Sequence, residues 1–385
     1  MIDVAAARET FESATDFTVG VEEELALIHP ETLELLPAFE PLRDAAQADD
    51  VLATAVAGEL ISSEIEIRSG AGRDHADAIA RQREARRRLF ALARDQGVAL
   101  GATGTHPLSD YRDQQVIDTA HYRRVEDGLR YVAWRNNTFS VHVHVGVRGA
   151  DRAIRVCDRL RPVLPLLLAL SANSPFVDGR DSGLHSARTQ TFTKSFPRCG
   201  VPDAIGSWDE WARYVDLLTR TSSIVEFTQL WWSVRPHHAF GTVEVRICDI
   251  QTTAEESDAL TKLIVACVRR AAEEVDAGET PPDLPRRLIE ENVWRAVRHG
   301  LDGRLLDLEA ERIEEFPASE TLDRLRAWTG VDVSLPELNG AQRQRRMIDA
   351  GATPVEIYAE CVAETQATYG SAEHARTQPE EEAVP

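Results

Sequence analysis

The chain has 385 residues with 43 basic and 64 acidic side chains, a formal net charge of −21. At 43% apolar and 28% charged residues it is composed like a globular protein with ample core, which excludes collagen-like, disulfide-scaffold and wholly disordered classes. A net negative field repels phosphate backbones, so nucleic acid is excluded as the main partner.

Lys194 and Lys262 are the only lysines; the other cations are arginines, a bias of the source organism and not of the reaction. Five widely spaced cysteines (Cys157, Cys199, Cys248, Cys267 and Cys361) form no C-x-x-C pair, so neither a zinc thiolate site nor a redox dithiol is signalled. Residues 1–18 carry acids and an arginine where a leader would be apolar, and the longest apolar run, Val163 to Leu170, is far shorter than the ~20 residues that cross a bilayer. These features predict a cytoplasmic protein that uses no membrane.

In chain order, a helical or loose lead-in over 1–16 precedes a strand predicted from Phe17 to Ile28. A second strand is predicted from Glu59 to Arg68, where Ile65-Glu66-Ile67-Arg68 alternates apolar and charged residues. Asp74 to Gln96 has helical periodicity, and its arginines read as a solvated face. A short buried strand over Val98 to Thr103, a helix over Tyr111 to Val125 and a cleanly alternating strand over Thr138 to Val147 follow. Residues 151–172 form a helix interrupted near Pro162 and Pro165, and Asn173 to Gly206 is loop-rich. Trp208 to Ser222 is a helix capped by Ser207, with Glu210 three positions on. A strand pair is expected at Thr228 to Val234 and Thr242 to Cys248, with Trp231-Trp232 as sheet packing and His237-His238 on a loop near the site. A long helix over Glu255 to Glu274 is broken by Pro281, Pro282 and Pro285. Residues 286–370 read as helical throughout, and 371–385 as a disordered acidic tail. Strands before residue 250 and helices after it predict an α+β fold.

Four charged clusters fall on predicted strands. They are Glu22-Glu23-Glu24, then Glu59, Glu64 and Glu66, then His142 and His144, then Glu244 and Arg246. Residues at i and i+2 of a strand project to the same side. One such face alone is explained by solvent, but four lining one antiparallel sheet would gather carboxylates, two imidazoles and an arginine. Oxygen ligands with one or two imidazoles suit Mg²⁺ or Mn²⁺, which bridge nucleotide phosphates. The sequence contains no G-x-x-x-x-G-K-[ST], G-x-G-x-x-G, H-E-x-x-H or G-x-S-x-G pattern. A paired-carboxylate hydrolase stays open on the residues alone, although it needs neither the two histidines nor the arginine.

Five motifs occur in order: Gly20-Val21-Glu22-Glu23-Glu24, Glu59 through Ile67, Ser140-Val-His142-Val-His144-Val-Gly146, Ala172-Asn-Ser-Pro175 and Gly241-Thr-Val-Glu244-Val-Arg246. Together they make roughly residues 15–365 resemble the glutamate–cysteine ligase type 2 family, the carboxylate–amine ligases. The resemblance implies a curved antiparallel β-sheet, a glutamine synthetase-like saddle, with helices packed on one side and a helical C-terminal region. It implies one catalytic domain over 1–370, with 286–370 as its helical C-terminal part. The implied reaction is ATP-dependent: glutamate's side-chain carboxylate is phosphorylated, and an amine, cysteine in the best-known members, attacks the acyl phosphate. ATP and Mg²⁺ or Mn²⁺ are the implied cofactors, small molecules are the partners, and a homo-oligomer stays open.

Carried over by position, Glu22, Glu24, Glu59, Glu66, His142 and Glu244 are the implied metal ligands. Glu66, His142 and Arg246 are the implied catalytic residues. Arg188, Arg235 and Arg246 would bind substrate, and His144 and Lys194 the nucleotide. Glu23 should point to the opposite face. Alternatives are the same chemistry on another amine or carboxylate, or a non-catalytic metabolite- or metal-binding relative.

Overall fold

The computed structural model describes residues 3–371; apart from Ser371, the expected acidic tail lies outside the described residues. Seven strands form the main sheet: β1 (Val19–Ile28), β2 (Val56–Ala57), β3 (Glu64–Arg68), β4 (Ala99–Gly101), β5 (Val141–Gly146) and two later strands. Between β5 and those two, β6 (Phe176–Val177) and β7 (Arg180–Asp181) make a small hairpin, and β8 (Cys199–Gly200) pairs in parallel with β9 (Trp231–Trp232). The main sheet closes with β10 (Val234–His237) and β11 (Thr242–Val245). Its order is β10-β11-β5-β1-β3-β2, with β4 also on β1, and every pairing is antiparallel.

Alternation gives this sheet two unlike faces. Val19, Val21, Leu25, Ile65, Ile67, Val141, Val143, Val145, Val243 and Val245 are almost fully buried on one side. Helices His75–Asp95, Ala150–Leu160 and Ala254–Asp276 cover that side, giving the expected single helical layer. Gly146 ends β5 where the lead-in crosses: a Cβ there would sit 2.2 Å from the Thr15 carbonyl oxygen. The turn from β10 to β11 needs Gly241 at φ +64°, a region that L side chains rarely adopt.

Several expected boundaries change. Tyr111 to Val125 is not one helix: Tyr111–Asp113 is a 3₁₀ turn, and the helix begins at Ala120 because Thr119 caps it through the Tyr122 N–H. The second strand starts at Glu64, not Glu59. Thr228 lies in a 3₁₀ turn, Phe227–Gln229; Arg235 holds the Thr228 and Leu230 carbonyls, which bends this stretch out of the ladder. Residues 286–370 are not wholly helical, for β12 (Arg304–Asp307) and β13 (Glu314–Pro317) form a hairpin. Its strands are too short and too exposed for alternation to reveal. Nor is the arginine-rich helix solvated throughout: Arg86 is buried against the sheet. No helix among the described residues is long and apolar enough to cross a membrane.

Candidate active site

Register builds the site. Glu22 lies opposite His142 on β5 and Arg68 on β3, Glu24 opposite Glu66, and Glu244 opposite His144 and Arg235. Directly paired residues share a face, so the charged clusters converge on the side of the sheet away from the helices. They line a cavity of about 460 Å³.

The contacts are dense. Glu24 Oε2 accepts from the Ser140 N–H at 2.6 Å and the Ser140 hydroxyl at 2.5 Å, and that hydroxyl lies 2.8 Å from His142 Nε2. His142 Nδ1 and His144 Nε2 each lie 3.4 Å from a Glu22 carboxylate oxygen. His144 Nδ1 meets the Thr242 hydroxyl at 3.0 Å. On the edge strands, Arg235 grips Glu244 at 2.7 Å and Arg246 pairs with the same carboxylate.

Charge is balanced unevenly across this face. Burial opposes ionisation of Glu244, but Arg235, Arg246 and His144 hold its pKa well below the ordinary carboxylate value. Glu22 is likewise held low against burial by His144 and His142. At the other end, burial and the charges of Glu24 and Glu22 push Glu59 up to about 7. Glu66 rises well above its ordinary value through burial, Glu22 and Glu59, although Arg68 sits 2.5 Å away. Burial and Arg246 lower His142, whereas Glu22 and Glu244 raise His144 against burial.

A divalent cation fits this donor set. Three groupings bring one ligand atom from each residue within 4.8 Å of the others: Glu22, Glu66 and His142; Glu22, His144 and Glu244; and Glu24, Glu59 and Glu66. Carboxylates crowded enough to resist ionisation are relieved by a hard cation. His144 Nε2 is buried without a hydrogen bond, which leaves it free to ligate.

All six expected metal ligands, with His144, Arg188, Arg235 and Arg246, line the cavity. Arg235, however, spends its donors on Glu244 and two backbone carbonyls, so it anchors Glu244 and offers little to a substrate. Arg188 bonds the Ile247 and Arg246 carbonyls and keeps its Nε–H without a partner, as does Arg246. Lys194 is misplaced: its ammonium reaches the Glu290 carboxylate at 2.6 Å on the outer surface, and it does not line this cavity. His237 lies on β10, not on a loop, and lines the cavity, as does Trp231. Sequence reasoning missed Arg68 and Ser140, which the i+2 spacing from Glu66 and His142 could have found. It also missed Phe192 and Phe196, which carried no pattern.

The model of the glutamate-cysteine ligase family 2 matches residues 18–375 of this sequence. The chain belongs to that family. A candidate glutamate–cysteine ligase 2-2 of Rubrobacter xylanophilus is 41% identical over 319 residues, covering 82% of this chain and 81% of the relative. A candidate glutamate–cysteine ligase 2 of Sorangium cellulosum is 38% identical, covering 88% and 89%. Among solved structures, a glutamate–cysteine ligase from Francisella tularensis in complex with AMP superposes with TM-score 0.62 at 14% identity, covering 94% of this chain and 92% of that one. A bifunctional glutathione synthetase from Pasteurella multocida gives 0.65 at 12% identity; this chain covers about half, 53%, of its length. At such identities the two structures establish the shared fold. Family membership makes this chain an ATP-dependent carboxylate–amine ligase of the glutamate–cysteine ligase type.

Proposed function

We propose that the enzyme joins the γ-carboxylate of L-glutamate to the amine of L-cysteine, giving γ-glutamylcysteine, ADP and phosphate. The observation that carries this reading is the convergence of Glu22, Glu24, Glu59, Glu66, His142, His144, Glu244 and Arg246 on one sheet face. Those carboxylates and imidazoles would hold Mg²⁺ or Mn²⁺, which neutralises charge between the ATP phosphates and the attacking carboxylate. A carboxylate oxygen attacks the γ-phosphorus and ADP leaves; the amine then attacks the acyl carbon, phosphate leaves and the amine gives up a proton. Arg246 and Arg188 supply the buried N–H donors that lack partners, suited to the α-carboxylate and the transferred phosphoryl group. Glu244 holds Arg246 in place, and Arg235 in turn holds Glu244.

The second reading, another amine, is favoured by the aromatic wall of Phe192, Phe196 and Trp231, which suits an apolar or aromatic side chain as well as a thiol. ADP release measured with Mg²⁺, glutamate and a panel of amines separates them. Cysteine should stimulate most. Stimulation by a different amine alone would replace cysteine, and none by any amine would overturn the proposed reaction.

A further inference from the structure

Beside the catalytic cavity lies a second one of about 560 Å³. The partition is the β8–β9 pair, in which Cys199 and Gly200 lie against Trp231 and Trp232. Successive strand residues point opposite ways, so Trp231 lines the catalytic cavity and Trp232 the second. Phe196 borders both.

In the second cavity one buried donor lacks an acceptor and one cation lacks a counter-ion. Trp211 is 1% exposed, and its indole N–H has no acceptor. Arg198 is half-buried; its Nε donates to the Gln229 carbonyl at 3.3 Å and its guanidinium lies 5.8 Å from the Trp231 ring centroid. No carboxylate among the described residues raises its pKa, and burial pulls that pKa below its usual value. Its neighbours differ, since Lys194 and Arg286 share Glu290. Arg198 also has a φ of 54°, a sparsely populated conformation that is often kept at functional positions. Next to it, the Tyr214 and Trp232 rings stack at 5.8 Å with 14° between planes, and both line the cavity. A half-buried guanidinium without a counter-ion favours an anion, and a ring wall favours a planar ligand.

We propose that this cavity binds a small planar anion, an aromatic ring bearing a carboxylate or phosphate, with its charge on Arg198 and its ring against Trp232. The site lies across the β8–β9 pair from the catalytic cavity, and the proposal stands whether or not cysteine is the amine.

Calorimetric titration of the full-length protein with phenyl phosphate and with benzoate tests it, alongside inorganic phosphate and benzyl alcohol. At least one aromatic anion should bind saturably, about tenfold tighter than either half-ligand, and should still bind with saturating Mg-ATP present. Phenyl phosphate binding tighter assigns a phosphate, benzoate binding tighter a carboxylate. Arg198→Gln and Trp232→Leu should each weaken binding about tenfold while far-ultraviolet circular dichroism is unchanged. Should Trp232→Leu fail to fold, Arg198→Gln decides alone. The proposal is overturned if neither aromatic anion binds, if Mg-ATP displaces it, if inorganic phosphate binds equally well, or if Arg198→Gln has no effect.

Discussion

Glu22, Glu23 and Glu24 are adjacent in one strand, yet they live in opposite electrostatic situations. Behind the sheet, Glu23 receives Arg86 through two N–H groups at 2.6 and 2.7 Å and Gln82 at 2.8 Å, with a further hydrogen bond from Ser257. Arg86 completes its own set on Asp258 at 2.7 Å. In front, Glu22 and Glu24 share His142 and are crowded by Glu59 and Glu66, so that neighbouring carboxylates are driven toward protonation. A buried carboxylate neutralised by its own chain belongs to the fold; one left under-compensated belongs to a ligand.

The contrast can be broken by substitution. Glu66→Gln should lower amine-stimulated ADP release at least about 1,000-fold, because removing one oxygen ligand weakens the charge stabilisation that phosphoryl transfer needs. Its thermal midpoint should stay level or rise, since a like-charge repulsion goes with it. A midpoint that fell as far as in the Glu23 variant would erase the distinction. Glu23→Gln leaves Arg86 buried and half-paired, with an expected loss of about 3–5 kcal/mol in denaturant unfolding; a loss near zero would mean that the rear network is dispensable. Mg²⁺ at about 100 times its Kd should stabilise the native enzyme by about 2.7 kcal/mol. That gain should vanish in Glu66→Gln, and its persistence there would move the cation elsewhere.

The smallest effect concerns a buried group that is satisfied only when neutral. His106 Nε2 meets the Leu33 carbonyl at 2.7 Å while Nδ1 accepts the Leu108 and Ser109 N–H groups, and burial lowers its pKa to about 4. A depressed folded-state value means that its stabilisation is complete above the unfolded value of about 6.5 and is lost as pH falls through about 4. Unfolding free energy should therefore drop by about 3 kcal/mol across that window, and His106→Gln should flatten the slope. An unchanged slope would assign the acid lability to the other buried histidines, His185 among them.

Much of the active face was legible because β-strands obey a period of two. Within each strand, Glu22 with Glu24, His142 with His144 and Glu244 with Arg246 could be placed on one face before any pairing was known, and Glu23 on the opposite face of its own. Register could not be read, so nothing indicated that Arg235 faces Glu244 and is consumed by it. Lys194 misled for a related reason: a lone cation in a loop-rich stretch carries no periodicity, and a helix, Ala187–Ser195, turns it toward Glu290. Arg86 looked like its solvated neighbours, because only tertiary packing separates it from them. Phe192 and Phe196 meet Trp231 from 39 and 35 residues away, beyond the reach of local pattern.

The strand order also has a consequence for how the chain is made. β1 is the first strand to leave the ribosome, but its partners on either side begin at residues 64 and 141, and the rear network draws on Arg86, Ser257 and Asp258. Glu22 and Glu24 find partners at Ser140, His142 and His144, but the Glu23 network is complete only once residue 258 has been made. The rear clamp is therefore the last part of this strand's surroundings to be completed along the chain, and it depends on contacts far apart in sequence.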